Sequence, residues 1–550
     1  MNNEIKNKGL RVIPLSGAET IGLNCYVVEY NDDIFVVDYG VTFPDGETYG
    51  IEYILPPLAY LLENKHRIKA IIMTHAHLDH VGGIPFVLDK LGYPPIYGSP
   101  FAVEFVKDKL AEARKDKQAK LYTVAKDDIL KFGDVQVSFF HVTHSIPQAY
   151  GVCFHTPEGR VVYTGDYKLD ETPINDIPTE MGKIKELGRK GVLVALLDST
   201  NAFEKGKSNS ESYIRDVLEE QIRKAPGRVI VATFSSLVTR QSGLIEVAKK
   251  LNKKVFVSGR SLESNIKIAM RIGYIHPQAN VMLGRNDLDK HPDNKLLILS
   301  TGSQGEEFAS LTRIAKGTHK TISLKKTDTV IMSSSVIPTK VMEVQNLMDA
   351  IARRGVRIIN TRLMDVHSSG HPNQEDMKEM ALALNAKYNI PVHGFTSFAA
   401  QHRQVLKEAG INESSVFIPV EGQVFAFENG IIKHEKKVAA DPIYAVGDMI
   451  LEDGAQIIAE RKALAKDGIV VVSLVLEKGK VTKVSTVVKG IDAEDKQKSV
   501  LAEIKQRIAG LRGKVSDEKA VKKEIYARVG AFFHKVLRRY PIIIVDVAHE

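Results

Sequence analysis

Residues 74–83 read Thr-His-Ala-His-Leu-Asp-His-Val-Gly-Gly and directly follow the apolar run Ile68–Met73. The run predicts a β-strand, and the two glycines allow a sharp turn into a helix. Because side chains alternate along an extended segment, those at positions 75 and 77 point to the same side. Three imidazoles and one carboxylate at this spacing suit Zn²⁺ or Mn²⁺, which accept nitrogen and oxygen ligands. The stretch therefore predicts a metal site at a strand end, and its candidate ligands are His75, His77, Asp79 and His80.

These residues can begin two metal sites but cannot complete them, so further ligands are expected at other strand ends. His144 and Asp166 each follow an apolar run, and His393 ends the segment Ile-Pro-Val-His. Loops that follow strands often carry functional residues. His141 competes with His144 as a ligand, and the spacing alone does not choose between them.

The composition is that of a soluble globular protein. The chain has 550 residues, of which 44% are hydrophobic and 26% charged, and no stretch approaches the roughly 18 apolar residues of a membrane span. Two cysteines, Cys25 and Cys153, cannot form a disulfide framework, and the start of the chain has no apolar signal-peptide core. We therefore expect a cytoplasmic protein with no membrane contact.

The charge balance permits a polyanionic partner. The formal net charge is +8 and the isoelectric point is about 9.0. Residues 451–550 hold about 20 Lys and Arg against about 14 Asp and Glu, so most of the surplus lies there. A solvated helical face has the same composition, so the surplus favours a nucleic-acid partner only together with matching chemistry elsewhere.

The sequence changes character along the chain. Short β-branched runs with few helical patterns fill the first part, which predicts sheets covered by helices. Strands then alternate with helices, which is typical of a doubly wound parallel sheet. The last part predicts a hairpin, two amphipathic helices and a final strand. Earlier in the chain, the predicted elements include a helix at Ile84–Leu91 and a strand at Val416–Ile418. In the last part, the predicted elements are a hairpin of Ile469–Leu476 and Val481–Val488 with its turn at Glu477–Lys480, helices at Ser499–Leu511 and Asp517–Arg539, and a strand at Pro541–Val547.

Several motifs resemble a known family. HAHLDH, His144, Gly-Asp166 and Asp38 in Val-Asp-Tyr-Gly resemble the signature of the metallo-β-lactamase fold. The segment after Asp-Ser-Thr-Asn (198–201) is similar to the insert of the β-CASP nucleases. More narrowly, the chain resembles the ribonuclease J family in STGSQGE at 300–306, THKTISLKKTDTVIMSSS at 318–335, HSSGH at 367–371 and VHG at 392–394. The resemblance extends over essentially the whole chain.

This resemblance implies an α/β fold with a discontinuous first domain. The implied units are a metallo-β-lactamase αββα sandwich at 1–205, an inserted β-CASP domain with a doubly wound parallel sheet at 206–362, the second part of the sandwich with a linker at 363–450, and a small α/β C-terminal domain at 451–550.

The resemblance also implies the roles of the metal ligands. One zinc would be held by His75, His77 and His144, and a second by Asp79, His80 and His393, with Asp166 bridging the two. Mn²⁺ is the alternative metal. Asp38 would be a buried carboxylate behind the metal histidines, in a supporting role that is common at such sites. Some members hold a structural calcium, which here would lie near Gly50 and Glu52, with Asp448.

The HSSGH segment adds phosphate-binding candidates. His367 and His371 would share one face of a helix, but the serines and glycine between them favour a loop, and such loops bind phosphate well. By resemblance, His371 protonates the leaving 3′ oxygen or holds the scissile phosphate, and His367 and Ser369 bind a 5′ phosphate. The implied catalytic residues are Asp79, His371 and Asp198, and the implied substrate-binding residues are Ser236, His367, Ser368, Ser369, Gly370 and His371.

Three positions depart from the family pattern. Thr239 stands where a histidine is common, Phe395 where an acid is usual, and Pro372 where small residues are usual. The metal positions are intact, so these departures bear on RNA contacts and on 5′-end preference, and they do not bear on hydrolysis.

The predicted function is metal-dependent RNA hydrolysis that leaves a 5′ phosphate and a 3′ hydroxyl. The resemblance implies 5′→3′ exonuclease and endonuclease action on single-stranded RNA with a 5′-monophosphate end, in rRNA processing and mRNA decay. It also implies a homodimer or homotetramer, together with RNA-decay partners. A small-ester or lactone hydrolase would explain HAHLDH but not the insert or HSSGH. A non-catalytic RNA-binding subunit is a further alternative, against which the complete ligand set argues.

Overall fold

The computed structural model describes residues 9–44, 49–276, 280–284, 286–477, 480–491, 502, 506 and 518–549. These residues fall into two compact units. The first contains the described residues up to 443 except 49–52, and the second contains residues 49–52 and those from 444 onward. None of the helices among the described residues has both the length and the apolar character needed to span a bilayer.

Strands dominate the beginning of the chain and recur throughout it. In chain order they are β1 (Leu10–Ser16), β2 (Cys25–Tyr30), β3 (Asp33–Val37), β4 (Tyr53–Leu55), β5 (Ile68–Ile72), β6 (Ile96–Gly98), β7 (Leu121–Thr123), β8 (Ile129–Phe132), β9 (Val135–Val142), β10 (Ala149–Thr156), β11 (Gly159–Tyr163), β12 (Val192–Asp198), β13 (Val229–Ala232), β14 (Lys254–Ser258), β15 (Leu296–Ser300), β16 (Thr329–Met332), β17 (Arg357–Ile359), β18 (Ala386–Val392), β19 (Phe425–Glu428), β20 (Ile431–His434), β21 (Ile443–Val446), β22 (Met449–Leu451), β23 (Ile469–Glu477), β24 (Lys480–Lys489) and β25 (Ile542–His549).

The helices include two short ones, of which α2 begins inside the histidine-rich motif and α3 follows it. In chain order the α-helices are α1 (Ala59–Glu63), α2 (Leu78–Val81), α3 (Ile84–Val87), α4 (Pro100–Glu112), α5 (Met181–Arg189), α6 (Glu211–Lys224), α7 (Val238–Lys250), α8 (Arg260–Arg271), α9 (Ser310–Lys316), α10 (Val341–Ala352), α11 (Gln374–Leu384), α12 (Thr396–Glu408), α13 (Gly454–Asp467) and α14 (Glu518–Phe532).

Two sheets of the first unit pack face to face. One has the strand order β20-β19-β1-β2-β3-β5-β6-β7 and the other β18-β12-β11-β10-β9-β8. Their inner faces share a core in which Phe35 and Tyr26 of one sheet meet Phe139 and Phe154 of the other. The outer face of the six-stranded sheet packs against α5 and α11 through Ile184 and other apolar residues. This is the αββα sandwich that the resemblance implies.

The inserted segment forms a third sheet. Its order is β14-β15-β13-β16-β17, and every pairing in it is parallel. One face packs against α9 and α10 through residues such as Leu311 and Ile351, while α7 and α8 contact β14. Parallel sheets are buried on both faces, which explains why these strands read as unbroken apolar runs rather than as alternating ones.

The second unit contains a three-stranded sheet of order β24-β23-β25. β23 pairs antiparallel with β24 and parallel with β25. Val521, Ile525 and Val529 of α14 pack on Val470 and Val472 of the sheet. The small α/β unit predicted for this part of the chain is therefore present.

Most predicted elements agree with the structure, but two were wrong. The helix predicted at 84–91 ends at Val87, and a turn leads to Gly92 at a φ of 79°. The strand predicted at 416–418 is only a bridge between Val416 and Asn389, because Pro419 has no N–H to continue a ladder. The α-helix predicted at 517–539 ends at Phe532, and a π-helical turn, Phe533–Leu537, follows it. The helix predicted at 499–511 and the centre of the turn predicted at 477–480 lie outside the described residues.

Candidate metal centre and catalytic loop

The candidate ligands meet where strands of both packed sheets end. His75 follows β5, His144 follows β9, Asp166 follows β11 and His393 follows β18. β11, β12 and β18 run parallel, so their carboxyl ends lie at one edge of the sheet. Asp79 lies on the short helix α2. The backbone topology therefore gathers residues that are more than 300 positions apart in the chain, such as Asp79 and His393.

One group of donor atoms contains three imidazoles. The Nδ1 atom of His77 lies 3.1 Å from Nε2 of His75 and 3.0 Å from Nε2 of His144. The Oδ2 atom of Asp166 is 3.6 Å from Nε2 of His75 and 3.8 Å from Nε2 of His144. Four donors that converge in this way can surround one ion.

A second group contains two imidazoles and two carboxylates. The Oδ2 atom of Asp79 is 3.5 Å from Nε2 of His80 and 3.2 Å from Nε2 of His393. The Oδ2 atom of Asp166 is 3.1 Å from Nε2 of His80 and 3.7 Å from Nε2 of His393. The same carboxylate oxygen thus belongs to both groups, and the second group can also surround one ion.

In each candidate ligand ring, the nitrogen that faces away from the centre contacts a neighbouring polar group. The Nδ1 atom of His144 lies 2.7 Å from the Gly370 carbonyl, and a Cβ at position 370 would lie 2.7 Å from that ring. The Nδ1 atom of His393 lies 2.6 Å from the Thr200 hydroxyl. Such contacts fix the orientation of a ligand ring and the nitrogen that it presents to a metal.

Asp38 supports the centre from behind, as predicted from the sequence. It is fully buried, its Oδ1 accepts the Thr74 backbone N–H, and its Oδ2 lies 2.8 Å from Nδ1 of His80. The Thr74 hydroxyl also lies 3.0 Å from Nδ1 of His75. Asp38 therefore anchors a ligand of each group without facing the centre itself.

The two groups differ in their electrostatics. Burial and neighbouring imidazoles lower the pKa of His75 and His144 well below the ordinary value, and burial lowers the pKa of His77 to about 4. These rings are neutral at pH 7, which is the form that binds a metal. Burial also disfavours the charged form of His80, but the neighbouring carboxylates, Asp166 foremost, outweigh it and raise the pKa of that ring. The carboxylates act on His393 in the same direction.

His371 forms a third part of the site with Asp198, the last residue of β12. Its Nδ1 atom lies 2.8 Å from Oδ2 of Asp198 and 3.8 Å from Oδ2 of Asp166. Burial lowers the pKa of His371, but the charges of Asp198 and Asp166 outweigh this and raise it to about 9. Asp198 also accepts a hydrogen bond from the Thr200 hydroxyl through Oδ1. Asp198 therefore links His371 to the support of His393.

The HSSGH segment is a loop, as predicted. The Ser368 hydroxyl donates to the Asn209 carbonyl at 2.6 Å, and the Ser369 hydroxyl accepts the His371 backbone N–H at 3.2 Å. The Nδ1 atom of His367 is buried and has no hydrogen-bonding partner among the described residues. Burial, and next the charge of Arg240, lower the pKa of His367 to about 3.

The structure separates the two competing histidines. His141 points away from the centre, and its Nε2 lies 3.0 Å from the Ile177 carbonyl and 3.3 Å from Asp176. Ser236 lies before α7, whose N-cap residue is Leu237, so the serine does not cap this helix. It lines a groove instead.

The residues predicted to bind calcium lie in the second unit. The Glu52 carboxylate accepts the Gly447 N–H, Asp448 is exposed, and the Arg461 guanidinium lies close to Gly50. Among the described residues, no group of three or more carboxylates or imidazoles converges there.

Sequence reasoning missed several supporting residues. The Nδ2 atom of Asn24 lies 3.0 Å from Nε2 of His80. Thr200 holds the ring of His393, and buried Arg240 lies beneath the HSSGH loop, where its Nη1 donates to the Val366 carbonyl. The position of Thr200 within the Asp-Ser-Thr-Asn motif was the one available signal, since polar side chains at a strand end often support a site.

Models of known families match most of the chain. They are the metallo-β-lactamase superfamily at residues 21–217, the ribonuclease J β-CASP domain at 226–351, the Zn-dependent metallo-hydrolase RNA specificity domain at 358–419 and the ribonuclease J C-terminal domain at 456–550. Ribonuclease J 1 of Streptococcus pyogenes is 37% identical over 469 residues, which cover 85% of this chain and 83% of that protein. The chain belongs to the ribonuclease J family. Its fold and its class of activity, metal-dependent RNA hydrolysis, are those that the sequence predicted.

Other relatives agree with this assignment. Ribonuclease J2 of Bacillus subtilis is 34% identical over 473 residues, covering 86% of this chain and 85% of that protein. Ribonuclease J 2 of Staphylococcus aureus is 31% identical over 551 residues, and the match covers 98% of both chains. A crystal structure of a protein of unknown function from Enterococcus faecalis aligns with a TM-score of 0.52 at 14% identity, covering 76% of this chain and all of that one. At that identity the likeness shows a shared fold alone.

Proposed function

We propose that this ribonuclease J family member is a two-zinc enzyme that hydrolyses single-stranded RNA to a 5′ phosphate and a 3′ hydroxyl. It would act both as a 5′→3′ exonuclease and as an endonuclease. The observation that carries the proposal is the position of Asp166, whose Oδ2 lies 3.1 to 3.8 Å from a ring nitrogen of four histidines in two groups. One carboxylate oxygen so placed suits a pair of ions.

The residues present fit two divalent ions. The Oδ1 atom of Asp166 is buried and has no hydrogen-bonding partner among the described residues, so this oxygen is left for a group from outside the protein. A cation there would offset the cost of burying an unpartnered carboxylate oxygen. We propose that His75, His77, His144 and Asp166 hold one ion, and that Asp79, His80, His393 and Asp166 hold the other. Imidazole and carboxylate donors suit Zn²⁺, and Mn²⁺ is the alternative.

The protein's own groups would then handle the leaving oxygen. Ions bound there would lower the pKa of water and neutralise charge on a phosphodiester. Asp198 favours the protonated form of His371, because its charge outweighs the effect of burial and, together with Asp166, raises the pKa of that ring to about 9 when no ion is bound. With Nδ1 held by Asp198, its Nε2 proton is available to the leaving 3′ oxygen. Asp198 acts by orienting this ring.

The HSSGH loop would bind the 5′ phosphate. His367 offers a buried, unpartnered Nδ1, and Ser369 lies two residues from His371 in the same loop. In the tautomer that carries its proton on Nδ1, this nitrogen can donate to a phosphate oxygen. This supports a preference for a 5′-monophosphate end, with Ser368 and Gly370 holding the loop in shape.

A groove of about 950 Å³ along the carboxyl ends of β13, β14 and β15 suits the path of RNA. Leu78, which lies between two candidate metal ligands, forms one of its walls, and the Phe234 ring lies 6.4 Å from the His367 ring. The groove thus adjoins both the metal centre and the phosphate loop. Cationic and aromatic side chains together suit single-stranded RNA. Those lining the groove include Phe43, Phe234, Phe308, Arg260, Arg313 and Lys320, and the proposed phosphate contact Ser236 also lies there.

Incubation with 5′-monophosphorylated single-stranded RNA tests the proposal. We expect cleavage to 5′-phosphorylated products that a chelator abolishes and Zn²⁺ or Mn²⁺ restores, and a His77→Ala variant that is inactive. A matched 5′-triphosphate RNA should be degraded more slowly from its end, while internal cleavage should persist. Cleavage that survives the chelator, or none when metal is supplied, would contradict the proposal. Turnover of small esters or lactones in its place would favour a small-molecule hydrolase.

The remaining predictions extend this function. We propose a cytoplasmic homodimer or homotetramer that acts with RNA-decay partners in rRNA processing and mRNA decay. We also propose the domain limits 1–205, 206–362, 363–450 and 451–550. The structural calcium at Gly50, Glu52 and Asp448 stays a prediction. Metal analysis of the purified protein tests it, since calcium that survives dialysis should disappear in an Asp448→Ala variant.

A further inference from the structure

The first turn of α7 in the inserted segment reaches two loops of the metal centre. Thr239 and Arg240 are neighbours in this turn, and they are 3% and 1% exposed. Their side chains bond to different loops. One loop carries His144, and the other leads into His367.

Thr239 holds the loop of His144. Its hydroxyl donates to the Ser145 carbonyl at 3.0 Å. Ser145 directly follows His144, and its own hydroxyl lies 3.4 Å from Nε2 of His77. The position of two candidate ligands of the first group thus depends on a backbone carbonyl that the inserted segment holds.

Arg240 holds the loop of His367. Its Nη1 donates to the Val366 carbonyl at 3.1 Å and to the Ser333 hydroxyl at 2.6 Å. The Ser333 hydroxyl in turn donates to the same carbonyl at 2.6 Å. Two donors therefore converge on the carbonyl immediately before the phosphate-binding loop.

The orientation of Arg240 is itself fixed. Its Nε and Nη2 atoms donate to the two carboxylate oxygens of Glu211, both at 2.7 Å. A planar guanidinium that is held in this bidentate manner presents its remaining nitrogen in one direction. Glu211 is anchored too, since its backbone N–H donates to Asp170 at 2.8 Å and Lys168 lies 3.7 Å from its carboxylate.

The two loops also meet each other, because Nδ1 of His144 lies 2.7 Å from the Gly370 carbonyl. We propose that Thr239 and Arg240 are positioning residues that set the place of the His144 loop relative to the loop of His367–His371. The inference rests on the proposed roles of His144 and His371. It gives Thr239, which departs from the family pattern, an internal role rather than an RNA contact.

The Thr239 contact is tested by paired variants. Thr239→Val removes the hydroxyl and keeps the shape, so we expect Zn²⁺ to be held about tenfold more weakly in competition with a chromogenic chelator. Thr239→Ser keeps the hydroxyl and should restore wild-type affinity. Thr312→Val is the matched control, because Thr312 is a buried threonine whose hydroxyl has no partner among the described residues.

The support of the Val366 carbonyl is first tested without breaking the ion pair of Arg240 and Glu211. Ser333→Ala leaves Arg240 and Glu211 together but removes one donor to the Val366 carbonyl. We expect KM for 5′-monophosphorylated RNA to rise several-fold, up to about tenfold, with Zn²⁺ affinity unchanged. Arg240→Lys retains the positive charge but loses the planar guanidinium that bonds Glu211 in a bidentate manner, so it should raise KM further and lower kcat.

Separate outcomes decide between the possibilities. If the Thr239 and Ser333 variants melt earlier but keep wild-type Zn²⁺ affinity, kcat and KM, the residues are only structural and the inference is wrong. The same conclusion follows if Thr239→Ser binds Zn²⁺ as weakly as Thr239→Val. If the wild-type chain itself fails to cleave RNA with metal supplied, the proposed function fails, while the Zn²⁺ competition still decides the role of Thr239.

Discussion

Two sets of buried charged side chains lie in the first unit, and they differ in how their charge is balanced. Arg240 pairs with Glu211 at 2.7 Å, and Lys168 pairs with Asp170 at 3.2 Å, so two cations meet two anions. At the metal centre the pKa is lowered for three imidazoles, His75, His77 and His144, and Oδ1 of Asp166 has no partner among the described residues. Against the effect of burial, the carboxylates raise the pKa of the other imidazoles there. The ion-pair set is therefore complete within the protein, whereas the metal set leaves neutral donor nitrogens and one carboxylate oxygen for ions from outside.

This difference distinguishes buried charges that stabilise the fold from buried charges that form a binding site. Burying charge is costly, and the cost is met either by a partner in the protein or by a bound ligand. Both sets are rich in titratable groups, so a count of such groups does not distinguish them. We expect disruption of the metal set to abolish activity at little cost in stability, and disruption of the ion-pair set to cost stability first.

The largest expected effect comes from Asp166. Asp166→Ala removes the oxygen shared by both metal groups, so we expect kcat/KM to fall by about 10⁴-fold or more, as loss of several kcal/mol of charge stabilisation implies. The melting temperature of the metal-free protein should not fall. Asp176→Asn is the control, because Asp176 is a partly buried carboxylate that lies beside His141 and outside the centre. If a variant at position 166 keeps two zinc ions and its activity, Asp166 does not hold the ions. The contrast between the ion-pair set and the metal set would then be wrong.

The next effect separates two histidines that the sequence could not rank. His144→Ala should lose one zinc per chain and about 10³-fold in activity, since one of the two ions is no longer held. His141→Ala should retain both zinc ions and most activity, because that ring bonds Ile177 and Asp176 instead. Metal analysis and RNA cleavage measure both. Equal losses in the two variants would contradict the ligand assignment.

His371 should affect chemistry but not metal content. His371→Ala removes a proton donor, so kcat should fall by about 10²- to 10⁴-fold, the range for general acid–base groups. The zinc content should stay at the wild-type level. Asp198→Asn should have a smaller effect in the same direction, because it weakens the orientation and the protonation of the ring but leaves the proton donor in place. A large loss of zinc in the His371 variant would place the ring among the ligands.

The smallest effect on chemistry, and the clearest on stability, is expected at Glu211. Burial raises its pKa, but the charges of Arg240 and Lys168 outweigh this and lower it to about 2. Because the folded pKa is depressed, the ionised pair stabilises the fold fully above the unfolded pKa of about 4.3, and this stabilisation is lost as the pH falls toward 2. It is worth on the order of 3 kcal/mol.

Urea unfolding of Glu211→Gln measures this contribution. We expect the variant to unfold at lower urea than the wild type at pH 7, and the gap to narrow between pH 5 and the acid limit of folding. The zinc affinity of the variant protein that remains folded should stay within a few-fold of wild type. A gap that is independent of pH would show that the pair does not titrate as described.

Predictions from the sequence agree with the structure where the chemistry depends on nearby residues. The strand before HAHLDH, the alternation of His75 and His77, and the loop form of HSSGH all depend on neighbours a few residues away, and each agrees with the structure. The limits of the helix at Ile84 and the strand at Val416 were wrong, because a turn at Gly92 and a proline at 419 override the apolar pattern.

The rest depended on contacts between distant segments. His144 and His141 share one strand and its following loop, and only the packing of the sheets decides which ring faces the centre. Asp198 and His371 are 173 residues apart, and Arg240 bonds a carbonyl 126 residues away. Thr239 was interpreted from the sequence as a change that affects RNA contacts, but its hydroxyl bonds the Ser145 carbonyl, next to the candidate ligand His144.

The sequence by itself determined the residue types, the strand ends that carry them and the class of chemistry, because steric alternation and turn formation act over a few residues. The tertiary structure alone decided which donor atoms converge, which carboxylate is shared and which buried charges are balanced. These properties follow from distances across packed sheets, which local sequence does not encode.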